Sequence, residues 1–343
     1  MFSHAGPSEP HPSGARTWRP WREAWVDAAY GPSGFWTTQR PADHFATAVG
    51  VGPHVSGAVA GMVPGRGVVV DVGAGDGRLL ADLAELRPDL ELVGVDRRTR
   101  PGGLDGRVRW VVDHWDVEHE RWAAGGPDAW LDAGVRRVRP LLVAHEWLDD
   151  LPVAVVERAG AGWREVEVDP DGHERTGAAV APDDAAWLAR WWAQGGERAE
   201  VGRPRDTAWR DLVVAALARG GRALAVDYGH WSDDRPPGGT LTAYADGRQR
   251  RPAPDGRANL TAGVAVDALA ATGVEVGGTT LLLARQSEVL GGADRDEPGA
   301  GGTLAALVSR SERSALVAPG RWGDLWWLLQ GREPEPGAAT RLA

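Results

Sequence analysis

The apolar positions along the chain change period as it proceeds. Trp18, Trp21, Trp25 and Ala29 fall at i, i+3, i+7 and i+11, an amphipathic helical stripe that runs into the turn cluster Tyr30-Gly31-Pro32-Ser33-Gly34. A small-residue-rich helical segment over about 44–62 stops before Pro64-Gly65. From residue 67 short apolar runs alternate with helical patterns. Val68-Val69-Val70-Asp71-Val72 reads as a parallel strand buried on both faces. Leu79, Leu80, Leu83 and Leu86 then share a helical face that Pro88 closes. Four more strands follow, at Leu92–Val95 ending on Asp96, Val108–Val112 on Asp113, Leu141–Ala144 on His145-Glu146, and Ala223–Val226 on Asp227-Tyr228-Gly229. Val274–Val276 and Leu281–Leu283 predict a final hairpin closed through Gly277-Gly278. Strands alternating with helices, with polar residues at their carboxyl ends, predict a doubly wound α/β sheet.

One connection is too long for a simple crossover. Roughly 75 residues separate the fourth and fifth strands, where a dozen or more suffice. An alternating pair, Val153–Val155 and Trp163–Val168, lies there, followed by a helix carrying Trp187, Leu188, Trp191 and Trp192. The expected organisation is a disordered arm at 1–17, a helical segment at 18–66, and a main domain at 67–330 with an inserted subdomain at about 157–210. A flexible tail at 331–343 completes it.

Composition narrows the chemistry. The chain has 343 residues, no cysteine and no lysine, so all 38 basic residues are arginine. That excludes Schiff-base and PLP enzymes, an ordinary Walker-A loop, thiolate nucleophiles, thiolate zinc sites and disulfides. Asn259 is the one asparagine, and isoleucine is absent, which points to a GC-rich genome more than to function. The nine histidines show no H-x-x-x-H pairing, so no metal is expected. A net charge of −10 disfavours a nucleic-acid partner. Arg248, Arg250, Arg251 and Arg257, in a Pro/Gly-rich stretch, read as a solvated loop. The first seventeen residues lack the apolar core of a signal peptide and no run is long enough for a membrane span, so a cytoplasmic protein is expected.

The strongest chemical signal is the loop after the first strand. Asp71-x-Gly73-x-Gly75-x-Gly77 gives an acidic residue followed by G-x-G-x-G, while a dinucleotide fingerprint would need a small residue where Arg78 stands. Asp96, about twenty residues on, is placed to hold ribose hydroxyls, and Asp113 ends the next strand. The run His145-Glu146-Trp147-Leu148-Asp149-Asp150-Leu151-Pro152 brings carboxylates to the fourth strand's end. There they could hold a cationic group, or Asp149 and Asp150 could cap a helix start. Asp227, Tyr228 and Tyr244 could orient or deprotonate a substrate, or brace a loop.

Taken in order, these segments resemble the MidA-type methyltransferases, related to a mitochondrial factor that methylates an arginine of a respiratory complex I subunit. The resemblance runs from about residue 20 to 330. It is carried by Tyr30 to Trp36, His44 to Thr47, Asp71 to Gly77, Glu146 to Pro152, Asp227 to Gly229, Gly239 to Tyr244, Asn259 to Ala262 and Gln286 to Glu288. It implies a Rossmann-like class I methyltransferase sheet and S-adenosyl-L-methionine as cofactor. Asp71, Gly73, Ala74, Gly75, Gly77, Asp96, Asp113 and His145 would hold that cofactor. Glu146, Asp149, Asp227, Tyr228 and Tyr244 would serve the acceptor, a protein side chain such as arginine, and a homo-oligomer is compatible with this reading. The chain departs from the family pattern at His145 (family asparagine), Asn259 (aspartate), Gly263 (histidine), Ala48-Val49-Gly50 (Ser-Pro-Glu) and Asp246-Gly247, where another histidine is lost. Those departures support an alternative, a non-catalytic cofactor-binding scaffold on the same fold; a nicotinamide dehydrogenase ranks third.

Overall fold

Five residues with one polar side chain among them set the centre of the molecule. Val68–Val72 (β1) is buried along its whole length, as a strand covered on both faces must be. The computed structural model describes residues 17–132, 139–193, 196–292 and 304–333. Around β1 stand Glu91–Asp96 (β2), Val108–Val112 (β3), Pro140–His145 (β4), Arg222–Asp227 (β5), Thr279–Arg285 (β6) and Trp326–Gly331 (β7). Their spatial order is β3-β2-β1-β4-β5-β7-β6. Strands β1 to β5 are parallel to one another, and β7 runs antiparallel to both β5 and β6.

Period-two alternation decides which residues each face receives. Val69, Leu141, Val143, Leu224 and Val226 pack with helices His54–Gly61 and Arg78–Leu86. Val68, Val70, Val72, Leu142 and Ala225 pack on the other face with Gly126–Asp132, Arg203–Ala218 and Val266–Glu275. The strand order reverses between β1 and β4, so a crevice opens at their carboxyl ends.

The long connection folds as a second sheet. Val155–Ala159 pairs with Gly162–Val168 through the register Ala159↔Gly162, and Arg198–Glu200 joins the far side. The amino-terminal Arg19–Pro20 adds to this sheet against Glu167 and Val168. One face receives Trp21 and Trp25 of helix Trp21–Tyr30. The other receives Trp187 and Leu188 of helix Pro182–Trp191, with Trp192 just beyond it.

Some expectations require correction. The hairpin at Gly277-Gly278 does not form: Val274 belongs to helix Val266–Glu275, and β6 pairs instead with β7. The first helix starts at Trp21, because Pro20 is already paired in the second sheet. Over 44–62 the only α-helix is His54–Gly61, preceded by a 3₁₀ turn at Ala48–Gly50. Leu86 is left 46% exposed at its helix end. Arg248–Arg250 is a short exposed strand paired with Thr242–Ala245, not a loop. Of the expected arm only residue 17, and of the expected tail only 331–333, lie within the described residues. Among these no helix is long and apolar enough to cross a membrane.

Candidate active site

The crevice holds a cavity of about 510 Å³, walled by the loops after β1 to β4 and by Tyr30, Trp36 and Phe45 from the amino-terminal segment. Gly73 and Ala74 donate their amide hydrogens to the Val95 carbonyl at 2.9 and 3.0 Å, which locks the first loop onto β2. Gly73 has φ +72°, and a Cβ there would lie 2.4 Å from Trp147 Cδ1. Trp147 in turn stacks on Trp122, with ring centres 5.6 Å apart. Gly73→Ala therefore meets a wall that cannot retreat and a backbone conformation alanine resists. We expect a loss of about 1–3 kcal/mol of stability and at least a tenfold loss of cofactor affinity, read by thermal denaturation and calorimetry.

Asp96 joins two loops at the cavity edge. Its Oδ2 accepts from Gly75 N at 2.9 Å and its Oδ1 from Arg98 N at 2.8 Å. Asp71 also lines the cavity, and burial, reinforced by Asp96 and Asp76, holds its carboxyl well above the usual range. Ala74 lines the cavity, whereas Gly77, which opens helix Arg78–Leu86 in a left-handed conformation, does not and instead donates its amide hydrogen to the Ala74 carbonyl.

Asp113 lines the cavity, but its carboxylate is already engaged. Its Oδ1 accepts from the amides of His114 and Ala124, and its Oδ2 from the Gly126 amide and Trp130 Nε1, all at 2.8–3.0 Å. A carboxylate offers about four acceptor positions, so this one is fully occupied in pinning the wall that carries Trp115 and Trp122.

The β4 end is where two cavities meet. A second cavity of about 1100 Å³ lies beyond the first, and Phe45, Ala46, Glu146 and Asp150 line both. Glu146 has φ +46°, unusual for a side chain with a Cβ. Its amide donates to the Val226 carbonyl at 2.8 Å, and its Oε1 accepts from the Ala48 amide at 2.7 Å. Burial pushes its pKa up to about 8. His145 Nε2 sits 3.5 Å from Glu146 Oε1, and burial lowers that imidazole to about 4, so it is neutral.

Asp149 and Asp150 are not caps. Asp149 Oδ2 accepts from the Thr261 hydroxyl at 2.5 Å, and Asp150 Oδ1 from Asn259 Nδ2 at 2.7 Å. Asp227 does not face either cavity: its Oδ2 accepts from the amides of Trp147, Leu148 and Asp149 at 2.8–3.3 Å, and its Oδ1 from Tyr228 N. Burial raises both Asp149 and Asp227 above the usual carboxylate range, and the charge of Asp149 raises Asp227 further. Tyr228 and Tyr244 line the second cavity, and burial raises both phenols.

Two positions that depart from the family pattern have polar substitutes nearby. Asn259 engages Asp150, and Ala48 offers its amide to Glu146.

Sequence reasoning missed Arg205. It is 1% exposed, and its guanidinium donates to the carbonyls of Asp149, Leu151, Ala262 and Gly263 at 2.7–3.3 Å. The signal was present: Arg205, Ala208, Trp209 and Leu212 fall at i, i+3, i+4 and i+7, which puts an arginine on a buried helical face.

A parallel sheet with one antiparallel strand, a glycine loop and carboxylates at successive strand ends defines a nucleotide-cofactor transferase of the methyltransferase class. The family described as "Putative S-adenosyl-L-methionine-dependent methyltransferase" matches residues 100–284. The chain belongs to this family, the MidA-type methyltransferases. It is similar to the mouse mitochondrial protein arginine methyltransferase NDUFAF7, 36% identical over 95 residues, 26% of this chain and 21% of that protein. The match therefore spans about a fifth of that relative. In fold it is similar to a "likely methyl transferase" of Burkholderia thailandensis solved bound to S-adenosyl-homocysteine. That pair has 22% identity and a TM-score of 0.69, covering 92% of this chain and 88% of the other. A second Burkholderia thailandensis structure gives 23% identity and a TM-score of 0.67, covering 92% and 87%.

The cofactor is S-adenosyl-L-methionine, and the residues present fit it. At Gly75, on the cavity wall, a Cβ would meet nothing closer than 3.9 Å, so the absent side chain leaves a cradle it would fill, and Asp96 lies at the cavity edge with hydrogen-bond acceptors.

Proposed function

We propose that this protein transfers a methyl group to a cationic protein side chain, arginine being the favoured class, on a doubly wound class I sheet with an inserted subdomain. The observation that carries the reading is the shared wall. Buried carboxyl groups of Glu146 and Asp150 stand between a cavity suited to the cofactor and a larger one open to an acceptor. The similarity to an arginine methyltransferase supports the acceptor class.

The bound cofactor supplies a methyl group on a positively charged sulfur. The protein's own part is position and electrostatics. Backbone at Gly73, Ala74 and Gly75 would lie close against the cofactor, with Asp71 near its amino-acid part and Asp96 on its ribose. Adenine recognition falls to the wall that Asp113 pins rather than to that carboxylate. Glu146 and Asp150 would hold the acceptor's guanidinium and accept the proton it sheds on methylation. Asp227 acts indirectly, fixing the turn that aims Glu146, while Tyr228 and Tyr244 shape the acceptor wall.

Two measurements test this. S-adenosylhomocysteine at a hundredfold excess over its Kd should stabilise the fold by about 2.7 kcal/mol. Labelled methyl groups should then pass from S-adenosyl-L-methionine to arginine in proteins of a cell extract. Cofactor binding without transfer to any extract would refute the enzymatic reading and favour the scaffold.

A further inference from the structure

The second cavity contains a histidine for which the transfer scheme has no role. His230 is 4% exposed, on the short strand Gly229–His230 that pairs with Val264–Ala265. Its Nδ1 accepts a 2.8 Å hydrogen bond from Arg235 Nη1. A guanidinium carries only donors and keeps its charge. Nδ1 must therefore present its lone pair, and the proton of the neutral ring must sit on Nε2.

Arg235 is itself held on three sides. Nη2 donates to Asp267 Oδ2 at 2.6 Å, Nε donates to the Trp191 carbonyl at 2.8 Å, and the guanidinium lies 4.6 Å from the Trp192 ring centre. Trp192 also meets the His230 ring edge-on at 5.1 Å. A second proton on His230 would break the Arg235 bond and set two buried cations side by side. Burial, helped by Arg235 and Arg205, lowers the imidazole to about 3.

Nε2 is buried without a hydrogen-bond partner among the described residues. The neighbouring ring carbon, Cδ2, lies 3.5 Å from the place a Cβ on Gly263 would take, and His230, Thr240 and Gly263 all line the second cavity. The absent side chain at 263 thus leaves room beside this ring edge. A fixed N–H without a partner is costly to bury unless a ligand completes it.

We propose that His230 determines acceptor specificity: its Nε2–H, locked in that tautomer by Arg235, donates a hydrogen bond to a carbonyl or carboxylate oxygen of the acceptor substrate. The proposal rests on reading the second cavity as the acceptor site. His230 is a donor and not a base, because its one lone pair is engaged by a cation. A cavity with carboxyl groups at one wall and this donor at another selects an acceptor that carries both a cation and an oxygen. An arginine residue with its own main-chain carbonyl fits, and a bare amine or guanidine fits less well.

The test uses full-length protein saturated with S-adenosylhomocysteine and three probes. These are Nα-acetylarginine N-methylamide (cation and carbonyl), free arginine (cation and carboxylate) and n-butylguanidinium (cation alone). Wild type should bind at least one oxygen-bearing probe about tenfold more tightly than n-butylguanidinium, and which one identifies the oxygen source. His230→Phe should lose that difference while keeping its affinity for n-butylguanidinium and S-adenosylhomocysteine. His230→Gln, which retains an N–H donor, should recover part of it. A His230→Phe protein that keeps the difference would overturn the proposal, as would ¹⁵N shifts placing the His230 proton on Nδ1 at pH 7. If no guanidinium probe binds wild type, the cationic-acceptor reading fails. Titration with N-methylacetamide then decides for His230 alone: a shifted Nε2 resonance supports the donor role, and an unmoved one refutes it.

Discussion

Glu146→Gln should fold normally, bind S-adenosylhomocysteine within about threefold of wild type, and transfer methyl groups about 10²–10³ times more slowly. The reasoning starts from burial. Desolvation raises the Glu146 carboxyl to about 8, so at pH 7 the group is mostly protonated while the acceptor cavity is empty. A glutamine copies that protonated form in shape, and its amide oxygen can still accept from the Ala48 amide. Once a guanidinium enters, its charge favours the carboxylate, and only glutamate can supply one. The amide would leave a buried cation without a counter-charge as the reaction proceeds. A variant with wild-type turnover would remove Glu146 from the acceptor site.

The same residue sets two pH signatures of opposite use. A carboxyl whose folded pKa lies above its unfolded value binds more protons when folded, so stability falls as pH rises from about 4.5 toward 8. Glu146→Gln should therefore gain stability relative to wild type across that window, seen as a growing difference in denaturant midpoint. Activity should move the other way, rising with pH as Glu146 ionises, with a midpoint below 8 because the bound cation lowers it. The glutamine variant should lose that limb of the profile.

Strand existence was legible because each central strand is a short apolar run with a polar residue at its carboxyl end. β1 and β3 matched to the residue for that reason. The last two strands were misjudged on local grounds. Val274 fits a strand pattern, yet helix Val266–Glu275 needs it at its end, and the true partner of β6 lies some forty residues on at Trp326–Gly331. Loop-closing glycines at 277 and 278 could not reveal a partner so distant. At the site, the residue types were readable but their roles were not. Asp96, Asp113 and Asp227 look alike at strand ends. What separates them is the number of amide donors that surrounding loops aim at each carboxylate, and no spacing rule encodes that. Asp150 and Asn259 were two unrelated positions until their 2.7 Å contact made them one unit.

Arg205→Met should be the most destabilising single change in the acceptor wall, costing about 3–5 kcal/mol and lowering Tm on the order of 10 °C. Methionine can fill the aliphatic path of the side chain, so the loss is not one of volume. It comes from the carbonyl oxygens of Leu151, Ala262 and Gly263, which lose the guanidinium inside the protein, and from that of Asp149, which keeps only the Ala262 amide. It comes also from charge. Burial disfavours the guanidinium, and the carboxyl groups of Asp149, Asp227 and Glu200 are what keep it charged. Removing it takes away the charge that holds Asp149 and Asp227 down, so both carboxyl groups should rise further. Arg205→Lys should recover little, because an ammonium has three donors at one point and cannot span carbonyls on two separate segments. Those segments are the turn that carries Glu146 and the strand end that carries Thr261, and Arg205 reinforces the bonds that Thr261, Asn259 and the Ala262 amide already make between them. The variant should therefore lose turnover even at temperatures where it remains folded, with cofactor affinity reduced far less, since the hydrogen bonds of Arg205 go to the carbonyls of Asp149, Leu151, Ala262 and Gly263 and none to the Gly73 loop or Asp96. Equal losses of cofactor affinity and turnover would show instead that Arg205 supports the whole crevice and not the acceptor side alone.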